Sequence, residues 1–273
     1  MDFRSVQMKT TNLWCSVSCT VLLGASCLFM PVVAVAAPAA TAKPAKAAKR
    51  QRPEPAPAAA NESVTPVPRD QKRWVERQAL INSRAVPGEV DVIFLGDSIT
   101  NGWDGNKGQK LWEQYFAPLK AMNAGIGGDR TEHVLWRLDN GNIKGITPKV
   151  AVIMIGTNNA RTNTSEQIAA GITAIVEKLR VKLPQTKILL LAIFPRGADK
   201  NDPLRMKNEG ANAIVKKLDD GKHVFFLDIN QEFLTADGVL EKEIMPDLLH
   251  PSEKGYEIWA KAITPEIKKL LAM

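Results

Sequence analysis

Apolar residues along this chain gather in five short runs, at 90–96, 121–125, 150–156, 187–193 and 224–229, each bounded by Gly, Pro or Asn. Continuous apolar runs of this length fit β-strands covered on both faces. Between them the spacing becomes helical, at 109–117, 130–139, 165–183 and 203–218, with a last helix at 252–271. Thr164 and Gln167 stand three apart, as in a capping box opening the third helix. Ser252 followed by Glu253 gives the last helix a cap and a first-turn carboxylate. Strands alternating with helices imply right-handed crossovers. The expected fold class is α/β: a three-layer α/β/α sandwich around a five-stranded, mainly parallel sheet. No internal repeat interrupts it, and residues 69–273 read as one catalytic domain.

The first 68 residues follow different rules. Arg4 and Lys9 precede an apolar stretch from Leu13 to Ala36 that ends in Ala34-Val35-Ala36, a small-residue cleavage pattern. Residues 1–36 therefore read as a signal peptide, with a retained membrane anchor as the alternative. The expected location is secreted or periplasmic. Cys27 lacks the aliphatic residue three positions earlier that a lipoprotein box carries. All three cysteines (Cys15, Cys19, Cys27) fall in this segment, so the mature chain would have no disulfide and no Cys-based metal site. A domain of about 200 residues can stand on packing alone.

Residues 37–68 are Ala-, Pro- and Lys-rich and lack periodicity, as in a disordered linker. Lys43, Lys46, Lys49, Arg50 and Arg52 against Glu54 and Glu62 leave this linker about +3 of the formal +7. That charge suits weak electrostatic contact with an anionic envelope, or a solvated spacer. Nucleic acid is disfavoured as a partner, since the basic residues lack interleaved aromatics.

The candidate chemistry sits at the ends of strands. Ser98 follows Val92-Ile93-Phe94-Leu95-Gly96-Asp97 and precedes Ile99-Thr100-Asn101-Gly102. A side chain there is presented at the carboxyl edge of the sheet. A serine nucleophile needs a base, and the base needs an orienting partner. Of the three histidines, His133 lies in a helical pattern and His223 precedes a strand. His250 alone has a carboxylate, Asp247, three residues away on a Pro-bounded loop. Asn123-Ala124-Gly125-Ile126-Gly127-Gly128-Asp129 and Gly156-Thr157-Asn158-Asn159 are two further strand-to-loop transitions of the same polarity. The Gly128 N–H and the Asn158 amide suit stabilisation of an oxyanion.

Gly-Asp-Ser, Gly-Gly-Asp, Gly-Thr-Asn and Asp-x-x-His, in this order, resemble the four blocks of the SGNH (GDSL-type) hydrolase family. Gly125–Asp129, His133-Val134-Leu135-Trp136-Arg137-Leu138, Gly156–Asn159 and Pro195-Arg196-Gly197 are similar to the platelet-activating factor acetylhydrolase Ib catalytic subunits and their bacterial relatives. The likeness covers roughly 69–273. It implies a flavodoxin-like SGNH hydrolase fold and a carboxylic ester hydrolase acting through a Ser98–His250–Asp247 triad. The oxyanion hole would comprise the N–H groups of Ser98 and Gly128 and the Asn158 side chain. It implies no cofactor and no metal. Ile99 stands where the motif's name has Leu, and Pro251-Ser252 follows His250 where the acetylhydrolase subunits tend to have Leu-Ser.

Ile99 and Leu249 are expected to narrow an acyl pocket, and Trp103 is the tryptophan expected to touch substrate. Asp97 is expected to anchor the turn by hydrogen bonds, while Asp129 and Arg130 brace the surrounding loops. Short, acetyl-type esters are favoured, on a small ester or an acetylated glycan. Lysophospholipid, acyl-thioester and aryl-ester hydrolysis stay open, because fold resemblance does not choose a substrate. Two other classes compete. A hard-metal phosphoesterase would draw on Asp97, Asn158, Asp247 and His250, though one His without a carboxylate pair makes a poor two-metal site. A non-catalytic carbohydrate-binding module of the same fold is the other.

Overall fold

The computed structural model describes residues 61–273. The expected signal peptide and residues 37–60 of the expected linker lie outside the described residues. Five strands, β1 (Val92–Gly96), β2 (Ala121–Gly125), β3 (Val150–Met154), β4 (Lys187–Leu191) and β5 (Val224–Leu227), form one sheet in the order β2-β1-β3-β4-β5. Every pairing is parallel. The helices are α1 (Lys72–Arg84), α2 (Ser98–Asn101), α3 (Gln109–Tyr115), α4 (Thr131–Asp139), α5 (Ser165–Lys182), α6 (Pro203–Val215) and α7 (Glu253–Leu271).

Alternation along each strand divides the core in two. Ile93 and Leu95 of β1, with Ala151 and Ile153 of β3, pack with residues of α1, α4, α5 and α6. Val92, Phe94, Val150 and Val152 point the other way, towards α3 and α7. The three-layer α/β/α architecture follows from burial on both faces, which also explains the absence of polar positions within β1 and β3. Both expected caps are present. Thr164 accepts from the Gln167 N–H at 3.3 Å, while Gln167 Oε1 accepts from the Thr164 N–H at 3.0 Å. Ser252 Oγ accepts from the Gly255 N–H at 3.2 Å.

Several boundaries differ from expectation: β1 begins at Val92 rather than 90, and β5 ends at Leu227 rather than 229. The strands β3 and β4 stop before 156 and 193, where the chain leaves the ladder and bends towards the sheet edge. Gly156 there has φ +130°, a backbone open chiefly to glycine, and a Cβ would lie 2.7 Å from Ile193 Cδ1. Residues 61–68, expected to be linker, are ordered against the domain. Ser63 is fully buried, donating from Oγ to the Gln167 carbonyl and accepting from Thr131 Oγ1 on its own carbonyl. Their short polar and Pro-containing sequence, Asn61-Glu62-Ser63-Val64-Thr65-Pro66-Val67-Pro68, conceals this because the segment is fixed by hydrogen bonds rather than by apolar burial.

Candidate active site

The carboxyl ends of β1, β2 and β3 open at one edge of the sheet, as parallel register requires. The first turn after β1 carries Ser98. Asp97 caps the short helix α2, accepting from the Ile99 N–H at 2.9 Å, and so aims the serine out of the turn. Ser98 Oγ lies 2.8 Å from His250 Nε2. On the far side of the ring, His250 Nδ1 lies 2.6 Å from Asp247 Oδ2. With a carboxylate at Nδ1, the proton belongs there, and Nε2 is left to accept from the serine hydroxyl. Asp247 Oδ1 accepts from the backbone N–H groups of Leu249 and His250 at 3.1 and 2.7 Å. That Asx turn brings residues three apart into contact. Leu248 in its middle adopts φ +58°, an uncommon conformation for leucine and a local cost the loop bears. Burial raises the Asp247 carboxyl, but the His250 ring and the two backbone donors outweigh it and hold the group below its ordinary range.

The other histidines lie elsewhere. His133 Nδ1 accepts from the Arg130 N–H at 2.9 Å. Burial first, then Arg69, Arg130 and Arg137, press its pKa down to about 4. His223 precedes β5, and its carbonyl accepts from the Ile188 N–H at the opposite edge of the sheet. Asp228 Oδ1 instead accepts from the Asn230 N–H at 2.9 Å.

Gly127 and Gly128 turn beside the serine. A Cβ on Gly127 would stand 3.9 Å from Ser98 Cβ, and Gly128 has φ +78°. Asn158 Nδ2 donates to the Asp129 carbonyl at 2.9 Å, which spends one of its two hydrogens. The next residue plays a different part. Asn159 is fully buried, with Oδ1 accepting from the Thr131 N–H at 3.0 Å and Nδ2 facing Thr131, Glu132 and Asn163. Arg196 Nη1 donates to the Thr157 carbonyl at 3.1 Å, and the Gly197 N–H donates to the Leu248 carbonyl at 2.9 Å. Residues 195–197 thus join the Asn158 loop to the His250 loop.

A network centred on Asp129, one of the two residues expected to brace the loops, underlies this edge. Asp129 is buried, receiving the Trp74 Nε1–H at 2.7 Å and facing Arg137 Nε across 2.8 Å. Arg137 also donates to Ala124 O at 2.8 Å and to Gly96 O at 3.3 Å, and bonds Asn142 Oδ1. One buried guanidinium therefore ties together the ends of β1 and β2. Asp97 is buried as well, and Oδ2 has no partner among the described residues. Burial pushes its pKa up to about 7; the Ile99 N–H and His250 oppose the shift, and Asp129 adds to it.

Two expectations about the acyl pocket need correction, those for Trp103 and Ile99. Trp103 is fully buried, packed against Trp112, Phe116, Tyr256 and Trp259, so it does not reach substrate. Ile99 is also buried in the α7-side core, because one step along a helix turns it inward from Ser98. Leu249 is half-buried and packs against that same core. The cavity at Ser98 and His250, about 300 Å³, is walled instead by Gly102, Gly105, Asn106, Lys107, Pro251 and Tyr256. A larger cavity of about 720 Å³, beside Pro148, Leu183 and Leu270, lies at the opposite edge of the sheet and holds no site residue. Among the described residues, no three His, Cys, Asp or Glu side chains are grouped to hold a metal ion.

The model of the GDSL-like lipase/acylhydrolase family matches residues 94–258, which include Ser98, Gly128, Asn158, Asp247 and His250. This chain belongs to that family. The family member is 40% identical over 200 residues to human platelet-activating factor acetylhydrolase IB subunit alpha2, covering 73% of this chain and 85% of that protein. It is 38% identical over 201 residues to the human alpha1 subunit, with the same coverage. A GDSL-like lipase from Bacteroides thetaiotaomicron shares the fold with a TM-score of 0.60 at 22% identity, over 71% of this chain and 97% of the other. An acetylxylan esterase from Geobacillus stearothermophilus does so with a TM-score of 0.54 at 20% identity, over 67% and 96%. This GDSL-like acylhydrolase is accordingly a carboxylic ester hydrolase.

Proposed function

We propose that this acylhydrolase is a serine esterase that removes short acyl groups, acetyl above all, with Ser98 as nucleophile, His250 as base and Asp247 orienting the imidazole. The supporting observation is the continuous hydrogen-bonded line from Ser98 Oγ through His250 to Asp247, at 2.8 and 2.6 Å. In this reading Ser98 Oγ attacks the ester carbonyl carbon while its proton passes to His250 Nε2. The negative charge that gathers on the carbonyl oxygen is met by the N–H groups of Ser98 and Gly128 and by the Asn158 amide. His250 returns the proton to the departing alkoxide and leaves an acyl-serine. Water, deprotonated by the same imidazole, then releases the acid and restores Ser98. Asp247 stabilises the imidazolium formed in both halves.

A cavity of about 300 Å³ at the serine favours a small acyl group. The names of two similar proteins, an acetylhydrolase and an acetylxylan esterase, point towards acetyl. The apolar N-terminal stretch and the basic linker support export and weak contact with an anionic envelope, where an O-acetylated glycan is the substrate of choice. A series of nitrophenyl esters, followed by acetate release from acetylated glycans, tests this. Turnover should be highest for acetate and fall with acyl length; a preference for long chains would overturn the substrate assignment. Activity should also survive dialysis against a chelator, and its loss with recovery on adding a divalent metal would favour the metal-dependent alternative.

A further inference from the structure

The segment that enters the catalytic domain ends at Arg69, a position with no part in the triad. Before it, Ser63 and Val67 fasten the chain to the starts of α4 and α5: Ser63 through Gln167 and Thr131, Val67 through its N–H to the Glu132 carbonyl. Arg69 then reaches over the Gly127–Gly128 turn. Its Nη1 donates to Gly127 O at 2.9 Å and stands 3.5 Å from Asp129 Oδ1, while Nε donates to Gln71 Oε1 at 3.0 Å. The fit is close: a Cβ on Gly128 would sit 3.0 Å from Arg69 Nη1 and 3.3 Å from Nη2. The turn is therefore held between Ser98 on one side and a guanidinium on the other.

Gly127 O and the Gly128 N–H are two ends of a single peptide unit. In a trans peptide they point in opposite directions, so fixing the oxygen fixes where the N–H is aimed. Two adjacent glycines leave that unit with the least steric resistance to turning over, since neither flanking residue has a Cβ. A charged donor on the carbonyl supplies the missing resistance. It also draws electron density towards the oxygen and strengthens the N–H at the other end as a donor.

We propose that Arg69 is a positioning residue of the oxyanion hole, locking the Gly127–Gly128 peptide so that the Gly128 N–H faces the reacting carbonyl oxygen. This rests on the esterase reading given above and adds to it a dependence on the entering segment. Arg69 acts through the peptide, not on substrate, so its removal lowers kcat and leaves KM nearly unchanged.

The test compares the full chain with Arg69→Gln, Arg69→Lys and Arg69→Ala on nitrophenyl acetate, each rate normalised to sites titrated with a fluorophosphonate. Arg69→Gln and Arg69→Ala should lose about 10- to 100-fold in kcat, less than deleting an oxyanion donor, with KM within about threefold. Arg69→Lys, which can still reach Gly127 O, should recover most of the loss, and added guanidinium should partly rescue Arg69→Ala. A purely structural arginine would lower the melting temperature and the number of titratable sites, but not kcat per site. Wild-type kcat per site in Arg69→Gln would overturn the proposal, as would a defect confined to KM. If the wild-type chain neither hydrolyses the ester nor takes up the phosphonate, the esterase reading fails and this role with it.

Discussion

Replacing Asp97 with Asn tests how the chain carries a buried acid beside Ser98. The carboxyl is fully buried, its Oδ2 has no partner among the described residues, and burial raises its pKa to about 7. A carboxyl raised in the folded state binds more protons than in the unfolded chain between its two pKa values. Stability from this group is therefore lost as pH rises from about 4 towards 7, and stays low above that. Between about pH 5 and about pH 9 the loss spans roughly two pH units, or on the order of 2–3 kcal/mol. Asn cannot ionise, and its Oδ1 keeps the bond from the Ile99 N–H. Its new NH₂, placed where Oδ2 has no partner, costs about 1–3 kcal/mol at every pH. The diagnostic is thus the slope and not the offset. Thermal melts should show Asp97→Asn gaining on wild type by roughly 5–10 °C between about pH 5 and about pH 9, at 2–4 °C per kcal/mol for a domain of this size. The wild-type profile alone would mislead, because His133 contributes the opposite sign. Its pKa is depressed to about 4, so its stabilising effect is lost as pH falls from about 6.5 to 4. Subtracting wild type from mutant cancels His133. A stability difference independent of pH would refute the reasoning and mean that Asp97 is ionised, or solvated, throughout.

Two substitutions in the Asn pair should part company. Asn158→Ala should lower kcat by about 10²–10³ with little change in KM and a modest effect on folding. Asn159→Ala, which abandons the Thr131 N–H and neighbouring polar groups inside the protein, should instead destabilise by about 1–3 kcal/mol and leave kcat per folded site closer to normal; the reverse order would exchange their roles. Asp247→Asn keeps the shape of the loop but removes the charge at His250 Nδ1, so kcat/KM should fall on the order of 10³–10⁴-fold; a near-normal rate would remove Asp247 from the triad.

Much of this could be read in the chain, for identifiable reasons. Strands buried on both faces need apolar residues at every position, so β1 and β3 announce themselves. The pairing of Ser98, His250 and Asp247 is legible because the Asp247–His250 spacing is local and only three histidines compete. Helix α1 was not anticipated: its buried stripe is Trp74, Gln78 and Ile81, with a polar residue in the middle, and the Gln71 side chain makes no capping bond to the first turn. Nor does local pattern reveal Arg69 or Arg137, whose partners include main-chain carbonyls across the fold that carry no residue signature. Trp103 and Ile99 were placed at the pocket by their nearness to Ser98 along the chain. Over one helical turn such neighbours face different ways, and these two face the core.

The central claim is that Ser98 is a nucleophile activated by His250, and mass spectrometry of the fluorophosphonate-treated protein tests it most directly. Wild type should gain one phosphonyl group, mapped to the peptide carrying Ser98, with ester hydrolysis lost in step with labelling. Ser98→Ala should fold, take no label and lose about 10⁴-fold or more in kcat. Labelling at another residue, or an unlabelled Ser98→Ala protein that still hydrolyses nitrophenyl acetate at more than about 1% of the wild-type rate, far above the residual expected without the nucleophile, would contradict it.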